Sequence, residues 1–428
     1  MTAVSIVTSP PATAGRDRAV DLVRALCIIG VVTLHALMVG VTVSAAGPSF
    51  VNASDGSWWI VPLSWVFQVM PLFFVIGGFS GATALRRMRA RGEDAAAFVG
   101  GRIRRLLLPA AVTIGTAGAL LAVLSSAGVP ASLVELAGWR YAQPLWFLGV
   151  FLLCQALLPV MLKNHDRAPL RTLAVLVAAA VAVDVVRAVT GIDAIGFVDL
   201  LFVWLALQQI GFFLADGSID RIPVRARVVI AIVAVALLAA AFGARVYSPD
   251  LIANINPPTT ALVLVGVAHT AVFSLVRGRI ARFAERPLPA AVTRFVSARA
   301  MTIYLWHMPV LLALAGISAL VAMATGIALP APGGAEWWLS RPIWLAAALG
   351  GTALVAIRLT RFESMPVPPL SGSAGRLAVS VLVGVTAVAL LLVVGTSPGT
   401  AVVSVALLLA SLRMSTRPAP APGFVVHA

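Results

Sequence analysis

Apolar residues fall in long, nearly unbroken runs, separated by short polar or arginine-bearing intervals. The runs lie at roughly 20–43, 62–85, 107–128, 144–162, 170–189, 196–215, 228–243, 257–276, 300–324, 342–358, 377–395 and 399–412. A crossing helix needs about 17 to 25 mostly apolar residues, and most of the runs meet that length. The seventh and twelfth are short for the purpose. The pattern predicts an all-α polytopic integral membrane helix bundle, with a ten-span core and two further spans. In domain terms it predicts a disordered tail over 1–17 and a transmembrane domain over 18–358. A linker over 359–376, two extra helices over 377–412 and a disordered tail over 413–428 complete the chain, and His427 in that tail has no assigned role.

Composition agrees with the pattern. The chain is 60% hydrophobic and 11% charged, whereas soluble domains carry about 25% charged residues. The net charge of +15 is explained by its placement rather than by a nucleic-acid partner. Of the 31 Lys and Arg, 26 fall in the termini and alternate inter-span segments, while three (Arg140, Arg245, Arg341) fall in the others. The positive-inside rule then predicts an even number of spans with both termini cytoplasmic. The N-terminal segment lacks a basic region followed by an apolar core, so no cleaved signal peptide is expected. Cys27 and Cys154 sit inside apolar runs and read as small buried hydrophobes. In the opposite loops, Trp58, Trp59, Trp337 and Trp338 precede spans as an interfacial aromatic belt would. Asn254, Asn256 and Thr259 either cap a helix start or offer hydrogen bonds at a cavity mouth.

Ionisable residues inside the runs carry the functional signal, because such groups are costly in hydrocarbon. Arg18 to Val43 reads as one crossing helix with Asp21 and Arg24 near its start and His35 deep inside. Arg24 and His35 are eleven residues apart, about three turns, so they share a face some 16 Å apart along the axis. That separation argues against direct contact. Asp21 lies one turn before Arg24, at pairing distance. Two readings fit His35: a structural histidine bonded to a neighbouring helix, or a general base.

Further groups recur along the chain. Gly77, Gly78 and Gly81 permit close helix approach. A basic segment follows, in which Arg102 and Arg105 can either meet anionic lipid or clamp phosphates. Trp146 and Gln155 lie in the fourth run; Tyr304 and His307 lie one turn apart in the ninth. Since the ninth run starts on the basic side, His307 is expected nearer the cytoplasm than His35. Asp184, Asp199, Gln208, Gln209 and His269 are isolated polar groups, and His165 is a loop residue without a special claim. No HExxH, dense metal-ligand cluster or P-loop occurs, so neither a bound metal nor ATP hydrolysis is indicated.

Together these residues resemble the membrane-bound acyltransferase 3 family, whose members acylate O-antigen, Nod factor, peptidoglycan and macrolides. DLVRALCIIGVVTLH matches the family's Asp-x-x-Arg-Ala start and its Arg-x10-His signature at Arg24 and His35. RIRRLLLP (Arg102, Arg105, Pro109), PLWFL (Trp146) and YLWH (Tyr304 to His307) follow in the family's order. The resemblance runs from about Asp17 to Arg358. Two departures are visible. Many members have Phe-Phe-x-x-Ser-Gly-Phe where this chain has Phe73, Phe74, Gly77, Gly78 and Phe79. Members also often have His where Pro144 stands.

The resemblance implies transfer of an acyl group, often acetyl, from cytoplasmic acyl-CoA to a hydroxyl. The acceptor would be a carbohydrate, cell-envelope component or small molecule, with acyl-CoA a co-substrate and no tightly bound cofactor. In this reading His35, Arg24 and Asp21 form the catalytic group, with His35 either activating the acceptor hydroxyl or relaying the acyl group. Arg102, Arg105, Tyr304, His307 and Trp146 hold or position the donor. A transporter is the rival class, since many spans and midplane polar groups also suit alternating access. The first half shows no convincing repeat in the second.

Overall fold

The chain folds as the long apolar runs dictate. A computed structural model describes residues 17–366 and 368–417; the predicted N-terminal tail (except Asp17) and the predicted C-terminal tail from residue 418 on, His427 included, fall outside these residues. Helix accounts for 79% of the described residues. Among the described residues, eleven helical segments are long and apolar enough to cross a membrane, and a shorter apolar helix, Pro398–Met414, follows them. The protein is a multi-pass membrane protein. One face of the bundle carries the arginine-rich segments and is the basic face; across the bundle from it lies the opposite face.

The first span ends earlier than its hydropathy suggests. Helix α1 covers Arg18–Met38, with Asp17 capping it through a hydrogen bond from the Val20 amide. Val39–Ser44 (β1) then pairs antiparallel with Gly47–Asn52 (β2). The sequence VGVTVS alternates β-branched residues, which lose little in a strand. Gly40 is needed there, because a Cβ would lie 2.8 Å from the Val51 side chain.

The second span is broken into α2 (Ile60–Phe67) and α3 (Met70–Ala90). At the break the Gln68 side chain turns away to donate to the Leu251 carbonyl, 2.6 Å. Helix α4 (Ala95–Ser126) carries Arg102 and Arg105. Then come α5 (Ala131–Ala142), α6 (Trp146–Arg167), α7 (Pro169–Thr190) and α8 (Asp199–Ala215). Helices α3 and α8 cross in close contact. A Cβ on Gly78 would lie 2.2 Å from the Gln208 carbonyl oxygen, and one on Gly211 2.0 Å from that of Val75. Small residues at a helix crossing let backbones approach, as expected in a membrane.

After a short helix α9 (Ser218–Arg221) come α10 (Val224–Gly243), α11 (Ala261–Ala284) and α12 (Pro287–Ala298). Helix α13 (Ala300–Thr325) follows α12 directly, then α14 (Ala335–Leu359). Helices α15 (Ala374–Val394) and α16 (Pro398–Met414) pack on α4 and α6 rather than standing apart. They share a core with Leu107, Leu148 and Leu152. Ser380 and Ser411 exchange hydrogen bonds with each other's carbonyls, both 2.7 Å. Such a pair satisfies buried polar groups inside the membrane.

The predicted aromatic belt is only partly one. Trp58 is exposed, but Trp59 and Trp337 are buried against each other with ring centroids 5.9 Å apart. The start of α2 and the first turn of α14 meet through these rings. Cys27 and Cys154 are free and buried.

Candidate active site

A cavity of about 1250 Å³ runs the length of α1, lined in turn by Asp17, Asp21, Arg24, Ile28, Val32, His35 and Met38. Residues at these spacings share one helical face. Six arginines (24, 87, 102, 105, 277 and 294) line its basic end. Ile252, Ile255 and Gln68 line the other end. Between them the wall is aromatic: Phe73, Phe79, Trp146, Phe147 and Phe151.

The basic mouth is a network of charges. Asp21 is buried and accepts from Arg24 Nη2 at 2.7 Å, the pair that i,i+3 spacing predicts. Arg277 bridges the helix-capping Asp17 and Asp220, the latter at 3.0 Å. Arg102 is half-buried and stacks on Phe98 at 4.9 Å, with no carboxylate partner among the described residues. Arg105 lies 3.9 Å from Glu363. A guanidinium that lines a cavity without a carboxylate partner suits a multiply charged anion.

Deep in the cavity His35 and His307 meet. His35 Nδ1 lies 2.9 Å from His307 Nε2, with ring centroids 5.0 Å apart. The expectation that His307 lies nearer the basic face than His35 is therefore wrong. The reason is where α13 starts. Val296 of α12 and Ile303 of α13 pack at the level of Ala25, Ile28 and Val32. Helix α13 thus begins alongside the middle of α1, and His307 arrives at the depth of His35.

The hydrogen bonds fix the tautomers. His307 Nδ1 faces the Tyr304 backbone carbonyl, which can only accept, so Nδ1 carries the proton. With both rings neutral, His307 Nε2 is then an acceptor and His35 Nδ1 donates to it. His35 Nε2 is left with a lone pair, on a ring that lines the cavity. Tyr304 is held in turn, its hydroxyl donating to the Pro144 carbonyl at 2.8 Å. Trp146 stacks on Trp204 with centroids 5.3 Å apart. The structure brings every predicted site residue to this one cavity: Asp21, Arg24, His35, Arg102, Arg105, Trp146, Tyr304 and His307.

Other polar groups stand elsewhere. Asp199 is buried, and neither carboxylate oxygen has a partner among the described residues. Asp184 accepts from the Tyr247 hydroxyl at 2.7 Å and the Thr260 amide at 2.9 Å. Asn254 and Thr259 bond to each other, which ties their own loop. His165 is not a loop residue. It closes α6, receives a bond from Gln209 and donates to Asp216 at 2.9 Å. Burial opposes the Asp216 carboxylate, but the Ser218 and His165 bonds outweigh it and hold the group below its ordinary range. Sequence reasoning missed Glu363 and Arg277 as cavity residues. For Glu363 a signal existed, since it is the only acidic residue after Glu336.

These features define a multi-pass membrane protein with an interior cavity joining an arginine-rich mouth to a histidine pair, of which His307 is buried. The chain belongs to the acyltransferase 3 family: the family's model, described as an acyltransferase domain, matches residues 17–361. It is a membrane acyltransferase, of the class transferring groups other than aminoacyl groups (EC 2.3.1.-). No curated protein and no solved structure matches it.

Proposed function

We propose that the protein is an O-acyltransferase that moves an acyl group, acetyl in the simplest case, from acyl-CoA to a hydroxyl. The acceptor is a carbohydrate, cell-envelope component or small molecule. The observation that carries this reading is the hydrogen-bond chain from the Tyr304 carbonyl through His307 to His35. It supports a His35 Nε2 free to take a proton. Positive-inside bias makes the arginine-rich face cytoplasmic, in a bacterial-type plasma membrane with both termini inside. Acyl-CoA then enters on the side where CoA resides.

In this mechanism Arg102 and Arg105 hold the donor's phosphates, and the aromatic wall guides the thioester inward. Arg24, oriented by Asp21, orders the approach. His35 Nε2 removes the proton of the acceptor hydroxyl as its oxygen attacks the thioester carbonyl. When the tetrahedral intermediate collapses, the carbon–sulfur bond breaks and the departing thiolate takes the proton from His35. The products are the ester and free CoA. His307 keeps the His35 ring in the required tautomer, as the base's orienting partner does in other nucleophilic systems.

The test is thiol release from acetyl-CoA by purified protein offered a panel of hydroxylated acceptors. Acceptor-dependent release in the unaltered protein, lost in His35→Ala, is the expected result. Equal turnover by that folded variant would remove His35 from the mechanism.

A further inference from the structure

The family match ends at residue 361, two residues before Glu363, a side chain in the cavity wall. The Glu363 side chain is 4% exposed. One carboxylate oxygen accepts from the Thr302 amide at 3.2 Å and the Thr302 hydroxyl at 2.9 Å; the other faces the Met301 amide at 3.4 Å. These amides belong to the first turn of α13, where backbone donors have no partner within the helix. The N-cap residue, Arg299, supplies no side-chain acceptor. The cap therefore comes from a carboxylate about sixty residues further along the chain, placed at the positive end of the helix dipole.

That first turn leads directly into the histidine pair. Tyr304, whose carbonyl orients His307, is two residues beyond Thr302, and His307 is five beyond. On the far side of His307 stands Pro309, inside the helix. Proline has no N–H, so the Leu305 carbonyl loses its helical donor. The turn carrying His307 is thus weakened on its C-terminal side and depends more on its N-terminal anchor. The same carboxylate lies 3.9 Å from Arg105.

We infer that Glu363 is a positioning residue for acyl transfer: it fixes the turn of α13 that aims His307 at His35, beside the donor-binding Arg105. The inference rests on the acyl-transfer reading given above. Glu363 acts through His307 and does not touch the reacting atoms, so its removal lowers kcat more than it changes the donor's KM. A glutamine keeps an oxygen acceptor for Thr302 and restores most of the rate.

The experiment is a double-mutant cycle on purified full-length protein, using acetyl-CoA and an acceptor that the unaltered protein turns over. Glu363→Ala is expected to lower kcat about 10-fold, with the donor KM moved less than about 2-fold, and Glu363→Gln to recover to within about 3-fold. In a His307→Gln background Glu363→Ala should cost less than about 2-fold more, because residues acting through one another are not additive. If Glu363→Ala does not fold, Thr302→Val takes its place in the cycle, with a smaller loss and the same non-additivity. Independent, multiplying losses would make Glu363 a structural cap only and overturn the inference while leaving acyl transfer intact. Absence of thiol release by the unaltered protein with every acceptor would overturn the acyl-transfer reading and this inference with it.

Discussion

His35 Nδ1 and His307 Nε2 stand 2.9 Å apart, although 272 residues separate them in the chain. The contact assigns different tasks to two similar side chains. His307 is buried and spends both ring nitrogens on protein partners, whereas His35 keeps one nitrogen for the cavity. His35→Ala should lower turnover by about 10³-fold, within the range a general base supplies. His307→Gln keeps polar capacity but loses ring geometry, and should cost about 10²-fold. Single-turnover rates with saturating donor check both. A His307 variant more damaging than His35→Ala would reverse the assignment.

Arg102 and Arg105 are expected to act on the donor's phosphates rather than on the thioester. Arg102 has no carboxylate partner among the described residues, and Arg105 has only a 3.9 Å approach to Glu363. A charge-assisted hydrogen bond is worth about 1.5–3 kcal/mol, so each alanine variant should raise the acetyl-CoA KM about 10-fold or more. An acetylated pantetheine, which lacks the nucleotide phosphates, should be used equally well by variant and unaltered protein. A matching loss with the short donor would return these arginines to a lipid-facing or structural role.

Much of this was legible in the chain because it depends on local spacing. Asp21 and Arg24 pair as one-turn neighbours must, and hydropathy alone marks the spans. The histidine contact was not legible, since depth along α13 depends on how far α12 carries the chain before α13 begins. The hairpin after Met38 was hidden for a related reason: valines read as apolar in either a helix or a strand. Glu363 and the His165–Asp216 bond are long-range pairings that no periodicity encodes. Trp59 and Trp337 looked like lipid-facing belt residues because burial of one helix start against another leaves no mark on either segment.

The crossing of α3 and α8 makes a stability prediction with an internal control. Gly78→Ala places a methyl 2.2 Å from the Gln208 carbonyl, an immovable backbone atom. Overpacking of this kind costs about 1–3 kcal/mol. Gly101, within α4, has an ordinary helical backbone, and a methyl added there meets nothing within 4 Å. Gly101→Ala should therefore be neutral or stabilising by up to about 1 kcal/mol. Thermal unfolding of the detergent-solubilised variants measures both. Equal midpoints for the two would contradict the close crossing.

Asp216 supplies a prediction about acid. Its folded-state carboxyl is held below the ordinary value by its hydrogen bonds. A group depressed in this way stabilises the fold above the unfolded pKa of about 3.9, and the contribution fades as pH falls through the folded value. The stability gap between unaltered protein and Asp216→Asn should be constant from about pH 5 to 8 and shrink only below about pH 4. A gap that closes between pH 5 and 7 would contradict a depressed Asp216 carboxyl as its source.

Away from the arginines the cavity wall includes a loop fastened to α2, and this predicts how an acceptor reaches His35. Leu251 donates to Ser64 Oγ at 3.0 Å and accepts from Gln68 at 2.6 Å, while Trp65 donates to the Pro249 carbonyl at 3.2 Å. These bonds hold Ile252 and Ile255 in the cavity wall. On the proposed reading, an acceptor hydroxyl arriving past this loop meets them, whereas acyl-CoA entering by the arginines does not. Ile255→Ala should therefore change the acceptor's KM, by about 3- to 10-fold for the few methylenes removed, and leave the acetyl-CoA KM within about 2-fold. Ser64→Ala, which unfastens the Leu251 amide, should shift the acceptor's KM in the same selective way. Steady-state kinetics with each substrate varied in turn separates the two sides. A change confined to the donor's KM would place the acceptor's route elsewhere, on the arginine-rich side or laterally between helices.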